Sequence, residues 1–317
     1  MLIVAALGGN ALLRRGQRLD QSVQQRNIDA AVRSLAGLAS DHRLVITHGN
    51  GPQVGLLALA QEAYRDATPY SLDVLGSETQ GMIGYLVEEA MREALPAREV
   101  ATLLTQVMVD PADPAFAHPT KRIGPGYTEV EARRLIAERG WMVARDGVAY
   151  RRIVASPAPQ RILEMAAIRL LVEHDVTVIC AGGGGVPVAA DPSGAWRGVE
   201  AVIDKDYTAA LLAREIHADL LLLLTDVDAV QLHWGASEAR KIHMATPLTL
   251  RREQFAEGTM APKVEAACRF VESTGHRAAI GSLDQAGAIL RGLAGTNVVR
   301  DGITPMSFWP DTDGINL

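Results

Sequence analysis

Lysine is scarce in this 317-residue chain: four of its 31 basic residues are lysine and the other 27 are arginine. A lysine ammonium is a compact charge on a flexible stem, whereas a guanidinium is a broad planar fork. The two are therefore not interchangeable where one charge must reach one oxygen. Lys121, Lys205 and Lys263 stand beside glycine, proline or aspartate, whereas Lys241 lies in a polar stretch without such neighbours. The first three indicate a protein that handles phosphate.

Cysteines, basic blocks and long apolar runs are also few or missing. The only two cysteines, Cys180 and Cys268, stand in apolar patterns, which predicts buried free thiols and a reducing compartment. A net charge of −6 without a basic block argues against a nucleic-acid partner. No apolar run approaches the roughly 20 residues that span a bilayer, so no membrane association is expected. The chain begins directly with an apolar strand pattern, and we expect a cytoplasmic protein.

Apolar strand patterns alternate with helical patterns along most of the chain. Continuous apolar strands separated by helices predict an α/β fold with a mostly parallel open sheet that is covered on both faces. A segment rich in proline, glycine and charge, 110–159, interrupts the alternation and is predicted to be a small lid between two α/β halves. The predicted strands are 2–7, 44–47, 100–109, 176–181 and 220–224.

Glycine turns follow three of these strands, at 8–10, 49–51 and 182–185. Open α/β sheets bind ligands at the carboxyl ends of their strands, where converging backbone N–H groups and helix N-termini attract anions. The chain contains neither a GxxxxGK[ST] loop nor a dinucleotide GxGxxG fingerprint, which argues against a P-loop enzyme and a Rossmann dehydrogenase. The turns therefore predict a phosphate-binding edge of another kind.

Two of the lysines adjoin predicted helix starts. Lys205 lies between two aspartates after an apolar run, and Asp206 is expected to cap a helix over 208–214. Lys263 opens an amphipathic helix, where a cation opposes the helix dipole unless an anion lies between them. The histidines show no HExxH or paired spacing, which argues against a zinc site. Asp226 follows a leucine run and either binds a nucleotide or caps a turn.

Short phrases along the chain carry a resemblance to a known family, and they are 6–11, 47–55, 79–85, 104–107, 109–113, 119–121, 123–125, 182–188, 198–206 and 260–267. Together they resemble the carbamate kinases of the amino acid kinase superfamily, from residue 1 to about 298. Other members of the superfamily typically place a lysine just before the first glycine pair, where this chain has Ala6 and Leu7. In carbamate kinases a lysine of the protruding lid replaces it, a role that the resemblance gives to Lys121.

The resemblance implies a fold, an arrangement of domains and a reaction. The fold is a three-layer αβα sandwich, the amino acid kinase fold, in a single domain over 1–298. A carbamate lobe covers about 1–172, including a protruding lid at about 112–155, and a nucleotide lobe covers about 173–298. No role is assigned to the extension over 299–317. The implied reaction is reversible phosphoryl transfer between ATP and carbamate, and the implied assembly is a homodimer.

The resemblance also implies site residues. Mg²⁺ accompanies ATP or ADP and is held by phosphate oxygens and water, with no protein side chain assigned to it. The catalytic residues are Lys121, Lys205, Lys263 and Asp204. Backbone amides that hold carbamate and the transferring phosphoryl group are those of Gly8, Gly9, Asn10, Gly49, Asn50 and Gly51. The nucleotide-binding residues are Gly183, Gly184, Thr225, Asp226 and Met260.

Two departures from the family pattern lie in or beside the lid. Ala155 stands where the family usually has proline, and a tryptophan–arginine phrase is replaced by 149–152. An altered lid leaves open a kinase for another small acid. A catalytically quiet subunit that binds carbamoyl phosphate or a nucleotide is the other alternative. Retention of the three lysines argues against it, because binding alone tolerates arginine more readily.

Overall fold

The computed structural model describes residues 1–14, 16–64, 66, 68–256, 258–302 and 304–310, except for the side chains of Asn10, Ala11 and Pro125. Within that part of the chain, the helices are α1 (Gly9–Leu12), α2 (Gln21–Ala39), α3 (Gly51–Ala63), α4 (Leu72–Ala94), α5 (Glu129–Arg139), α6 (Met165–Glu173), α7 (Lys205–Glu215), α8 (Pro247–Leu250), α9 (Met260–Thr274) and α10 (Ala286–Leu290). The strands are β1 (Leu2–Leu7), β2 (Arg43–His48), β3 (Val100–Thr102), β4 (Gln106–Val109), β5 (Lys121–Tyr127), β6 (Val143–Asp146), β7 (Ala149–Val154), β8 (Pro159–Ile162), β9 (Thr177–Ile179), β10 (Val186–Ala190), β11 (Trp196–Gly198), β12 (Leu220–Thr225), β13 (Gln231–Leu232), β14 (Arg240–Ala245), β15 (Arg277–Ser282), β16 (Thr296–Val298) and β17 (Met306–Phe308).

The main sheet is open and mostly parallel, as the sequence predicts. Its order is β13-β14-β16-β15-β12-β1-β2-β9-β3, and β17 pairs with β14. The pairings from β15 through β12, β1, β2 and β9 to β3 are all parallel. Because the carboxyl ends of parallel strands meet at one edge, the turns after β1, β2 and β12 come together there.

Helices cover both faces of the main sheet, which makes the fold a three-layer αβα sandwich. In β1, Leu2 and Val4 point into an apolar core shared with α6, α7 and α9. Ile3 and Leu7 point into a second core shared with α2, α4 and α10. Side chains of a strand alternate between faces, so a strand buried on both reads as a continuous apolar run.

The predicted strand over 100–109 is in fact two strands in different sheets. β3 ends the main sheet, whereas β4 belongs to a four-stranded sheet of order β11-β10-β4-β8. The Gln80 side chain accounts for the break: its amide accepts from the Thr105 N–H at 2.9 Å and donates to the Thr105 carbonyl at 3.1 Å. A side chain thus takes the place of a neighbouring strand between β3 and β4.

The predicted lid has a sheet of its own, of order β5-β7-β6. In the chain, α5 lies between β5 and β6. Its helix begins with a reciprocal capping box between Thr128 and Glu131 and ends at Gly140 in the left-handed conformation. These local signals explain why an excursion of about 40 residues forms its own secondary structure.

Other local features of the sequence concern one helix, the two cysteines and the possibility of a membrane span. The sequence also predicts a helix over 80–94, and in the structure this helix begins earlier, at Leu72, as α4. Cys180 and Cys268 are buried and unpaired, as predicted, and burial raises the pKa of Cys180 to about 12. None of the described helices is long and apolar enough to cross a bilayer.

Part of the C-terminal extension joins the main sheet. β17 pairs antiparallel with β14, and the Trp309 indole N–H donates to the Gly295 carbonyl at 2.8 Å. Residues 311–317 lie outside the described part of the chain.

Candidate active site

A cleft of about 1050 Å³ lies at the carboxyl ends of β1, β2 and β12, beneath the lid. Thirteen of the predicted site residues line it, so the structure gathers most of the prediction in one place. They are Gly8, Gly9, Gly49, Asn50, Gly51, Lys121, Gly183, Asp204, Lys205, Thr225, Asp226, Met260 and Lys263. Of the other two, Gly184 is buried and Asn10 has a side chain outside the described part of the chain.

Two of the lysines share one buried carboxylate. The Lys205 ammonium lies 2.5 Å from Asp206 Oδ1, and the Lys263 ammonium lies 2.9 Å from Asp206 Oδ2. All three side chains are at most 12% exposed. Burial alone would raise the pKa of Asp206, but the two ammonium groups outweigh it and hold that pKa well below its usual range. Burial lowers the pKa of Lys205, a shift that Asp206 opposes.

Asp206 was missing from the predicted site, and its expected role was wrong. Helix α7 begins at Lys205, not at Thr208, and its N-cap is Asp204, whose Oδ1 accepts from the Asp206 N–H at 2.9 Å. Asp206 lies in the first turn instead and turns its carboxylate toward the two lysines. Its position directly after Lys205 was the available signal, but its pairing with Lys263 joins residues far apart in sequence.

The lid contributes the third lysine. The Lys121 ammonium at the start of β5 donates to Asp204 Oδ2 at 2.7 Å, while the other oxygen of this carboxylate caps α7. Asp204 was predicted as a catalytic residue, and in the structure its carboxylate holds the Lys121 ammonium. Three ammonium groups thus face two carboxylates close to the N-termini of α7 and α9, an arrangement that attracts anions.

The glycine turns differ in what their amides do. The Gly8 N–H donates to the Leu224 carbonyl at 2.9 Å, and the Gly49 N–H donates to the Leu7 carbonyl at 3.1 Å. These two amides extend the sheet ladder, which corrects the expectation that both face a ligand. Gly9 and Gly51 are the first residues of α1 and α3, where amides have no preceding helical carbonyl.

Glycine is required where the turns meet. A Cβ at Gly183, whose φ is +67°, would lie 2.1 Å from the side-chain nitrogen of Asn50. That nitrogen donates to the Thr79 hydroxyl at 2.8 Å, so the Asn50 side chain is held in place by α4. Neighbouring Gly184 is buried against the Ile203 carbonyl, and its own carbonyl accepts from Thr208. Gly184 therefore holds the turn in place through packing and a hydrogen bond.

His48, which precedes the second glycine turn, is a structural residue. Its Nδ1 lies 3.0 Å from the Gly49 carbonyl, and burial lowers its pKa to about 4. The ring is therefore neutral near pH 7, with Nδ1–H as the donor in this contact. A Cβ at Gly182 would lie 2.5 Å from Nε2, so the ring fills the space behind the turn.

The other end of the cleft has a mixed apolar and polar wall that no motif predicted. Thr225 ends β12 and Asp226 follows it, and the Thr225 hydroxyl donates to Asp226 Oδ1 at 3.1 Å. Trp234 stands on this wall with 68% of its surface exposed, a large exposed fraction for an aromatic side chain. The wall residues absent from the prediction include Leu232, His233, Trp234 and Phe255.

Comparisons with known proteins agree with this geometry. Residues 1–282 match the model of the amino acid kinase family. The chain is 50% identical to the carbamate kinase of Rhizobium meliloti over 300 residues, which cover 93% of this chain and 92% of that protein. It is 49% identical to the carbamate kinase of Haemophilus influenzae, covering 95% and 97% of the two chains. The solved carbamate kinase from Giardia lamblia bound to AMP-PNP superposes with a TM-score of 0.88 at 37% identity, covering 95% of this chain and 98% of that one. The chain therefore belongs to the amino acid kinase family and, within it, to the carbamate kinases.

Proposed function

We propose that this protein transfers a phosphoryl group reversibly between ATP and carbamate, so that ADP and carbamoyl phosphate yield ATP and carbamate. Its membership of the carbamate kinases makes it a phosphotransferase. The observation that carries the proposal is the convergence of Lys121, Lys205 and Lys263 on two aspartates at the glycine turns.

The lysines supply the charge that this reaction needs. Phosphoryl transfer depends mainly on positioning and on neutralising the phosphoryl oxygens. A carbamate oxygen is already anionic, so no general base is required. Lys205 and Lys263 are held in place by Asp206, and donors fixed in this way stabilise developing charge without reorganisation. We assign these two lysines to the transferring phosphoryl group.

The lid lysine has a different part in this scheme. Lys121 is 30% exposed and lies on β5 of the lid, with its side chain in the lining of the cleft. We assign it to the phosphoryl oxygens from the lid side, with Asp204 as the residue that orients it. Closing the lid also keeps water from carbamoyl phosphate, which is labile in solution.

The cleft has room for two substrates, one at the glycine turns and one at the mixed apolar and polar wall. We assign carbamate and the transferring phosphoryl group to the turns at Gly9 and Gly51, whose amides open helices. The nucleotide takes the end with Gly183, Thr225, Asp226 and Met260. The Giardia lamblia enzyme that binds AMP-PNP has the same fold over 95% of this chain, which supports a nucleotide in this cleft.

Magnesium fits this site as an ion that is bound to the phosphates of the nucleotide. Among the described residues no group of three histidines, cysteines, aspartates or glutamates could hold a metal. Asp204 and Asp206 are each ion-paired with lysine. We therefore expect Mg²⁺ to be coordinated mainly by nucleotide phosphate oxygens and water, where it neutralises phosphate charge.

A two-fold homodimer is part of the proposal. Five of the six residues on which the expectation of a dimer rests are buried within the lobe and one, Met82, is exposed, so they alone do not argue for a partner. The six are Met82, Ile83, Leu86, Val87, Ala90 and Met91. Val74, Met82 and Tyr85 nevertheless share one exposed stripe of α4, with Tyr85 62% exposed. Light scattering at micromolar concentration should give a dimer mass, and Tyr85→Asp should shift it toward the monomer.

One assay tests the reaction and its acceptor separately. Purified protein given carbamoyl phosphate, ADP and Mg²⁺ should form ATP, and chelating the metal should stop it. Formation of ATP from another acyl phosphate but not from carbamoyl phosphate would leave a kinase with a different acceptor. Failure of MgADP to raise the melting temperature would contradict nucleotide binding itself.

A further inference from the structure

Among the described residues, two ion pairs join the lid to the rest of the molecule, and they lie in different surroundings. Lys121 to Asp204 lies in the cleft. The other joins Arg152 Nη2 of β7 to Glu200 Oε1 at 2.7 Å. Neither Arg152 nor Glu200 lines the cleft, so this second pair has no assigned part in the reaction.

Glu200 is anchored in the body of the molecule. Its second oxygen, Oε2, accepts from the Leu72 N–H at 2.8 Å, at the first residue of α4. An amide at this position has no acceptor within its own helix, and a carboxylate there is favoured by the helix dipole. The carboxylate is thus held by α4 on one side and holds the lid on the other.

Arg152 is equally well held within the lid. It pairs in register with Ile123 of β5 on one side and with Val143 of β6 on the other. Its guanidinium lies 4.4 Å from the centre of the Trp141 ring, and the side chain is 17% exposed. Since β5 also carries Lys121, fixing Arg152 fixes the strand on which the lid lysine stands.

The segment that carries Glu200 also carries Asp204, the partner of Lys121. Between them the Val202 N–H donates to the Ala155 carbonyl at the end of the lid, at 3.0 Å. In the proposed reaction the Lys121 ammonium binds phosphoryl oxygens, so its contact with Asp204 is weakened or lost. That pair alone therefore does not hold the lid during transfer. The Arg152–Glu200 pair lies outside the cleft, so the reaction does not require it to break.

We propose that the Arg152–Glu200 ion pair is a latch that keeps the lid in register over the cleft, which makes both residues positioning residues for Lys121. The proposal rests on the proposed function for its kinetic consequence. Its structural consequence, a lid held to the body by this contact, does not depend on activity.

The test compares an arginine of the latch with an arginine inside the lid. Arg152→Ala should speed hydrogen exchange of the β5 amides about tenfold or more, the scale of one lost charged hydrogen bond. It should lower kcat/KM for carbamoyl phosphate by a similar factor, with the KM for ADP nearly unchanged. Arg133→Ala removes an exposed arginine–glutamate pair that lies wholly within α5 of the lid and should leave all three quantities unchanged.

A second variant separates the latch from the stacking on Trp141 and from failure to fold. Glu200→Gln keeps a carbonyl acceptor for the Leu72 N–H but loses the ion pair, so it should reproduce the effects of Arg152→Ala. The double variant should be no worse than either single one. β5 exchange as slow as in the wild type would overturn the proposal, and so would faster exchange with kinetic constants like those of Arg133→Ala. Wild-type protein that forms no ATP from carbamoyl phosphate would contradict the proposed function, whereas the exchange comparison would still decide whether the latch holds the lid.

Discussion

Two lysine–aspartate pairs in this molecule have nearly the same length and different surroundings. Lys263 lies 2.9 Å from Asp206, with side chains 11% and 5% exposed. Lys241 lies 3.0 Å from Asp228, with side chains 45% and 57% exposed. A buried pair loses hydration that its own attraction barely restores, whereas an exposed pair contributes at most about 1 kcal/mol. A buried cluster is therefore expected where its charge serves binding or catalysis, which makes burial a better guide to function than pair distance.

The largest expected effect is on stability. Asp206→Asn leaves Lys205 and Lys263 buried without their common counter-ion, and we expect the free energy of unfolding to fall by about 3–5 kcal/mol. Urea denaturation measures this change. Asp228→Asn removes the carboxylate of the exposed pair and should change the same free energy by about 0.5 kcal/mol or less. Equal losses in the two variants would refute the distinction between the pairs.

The next effect is on turnover. Replacing Lys121, Lys205 or Lys263 by arginine keeps the charge but changes its shape and reach, and we expect kcat to fall about 10²-fold or more in each case. The coupled assay of ATP formation measures this loss, and circular dichroism checks that each variant is folded. Full activity in Lys205→Arg would show that the scarcity of lysine has no functional meaning at this position.

Much of the fold was predictable because its signals are local. The six consecutive apolar residues of β1 indicate a strand buried on both faces, and that strand lies near the middle of the main sheet. What failed depends on contacts between distant residues. Gln80 binds Thr105 in the break between β3 and β4, and Glu200 caps α4 from 128 residues away. No pattern in a single segment specifies such partners.

The site shows the same division. The glycine turns, Lys205 and Lys263 were predictable because each stands beside a recognisable strand end or helix start, whereas the role of Lys121 came from the family resemblance. The role of Asp206 was not predictable, because it depends on Lys263, 57 residues further along the chain. The engagement of the Gly8 amide by Leu224 was likewise hidden, because it depends on which strand lies beside β1.

The pH dependence of stability tests the buried pair, whose carboxylate is Asp206. The pKa of Asp206 is held below its usual range because Lys205 and Lys263 together outweigh the effect of burial. As the pH falls, the Asp206 carboxylate is protonated in the unfolded chain before it is protonated in the folded one. Its contribution to the free energy of unfolding is therefore complete above the ordinary carboxyl pKa of about 4 and is lost as the pH falls further. The stability difference between wild type and Asp206→Asn should therefore shrink below about pH 4, as urea denaturation from pH 7 to pH 3 would reveal. A difference that stays constant over this range would contradict the proposed charge pairing.

The smallest expected effect belongs to the fourth lysine. Lys241 lies on β14 outside the cleft, and its carbonyl, which accepts from the Trp309 N–H, is unaffected by a change of side chain. An arginine there can still reach the Asp228 carboxylate, because both side chains are open to solvent. We expect Lys241→Arg to change kcat/KM less than about twofold and the free energy of unfolding by about 0.5 kcal/mol or less. The variant belongs in the same assays as Lys263→Arg, since the two differ in burial far more than in pair distance. A tenfold loss of activity in Lys241→Arg would mean that an exposed pair is as sensitive to arginine as a buried one, and burial would no longer explain which lysines this chain retains.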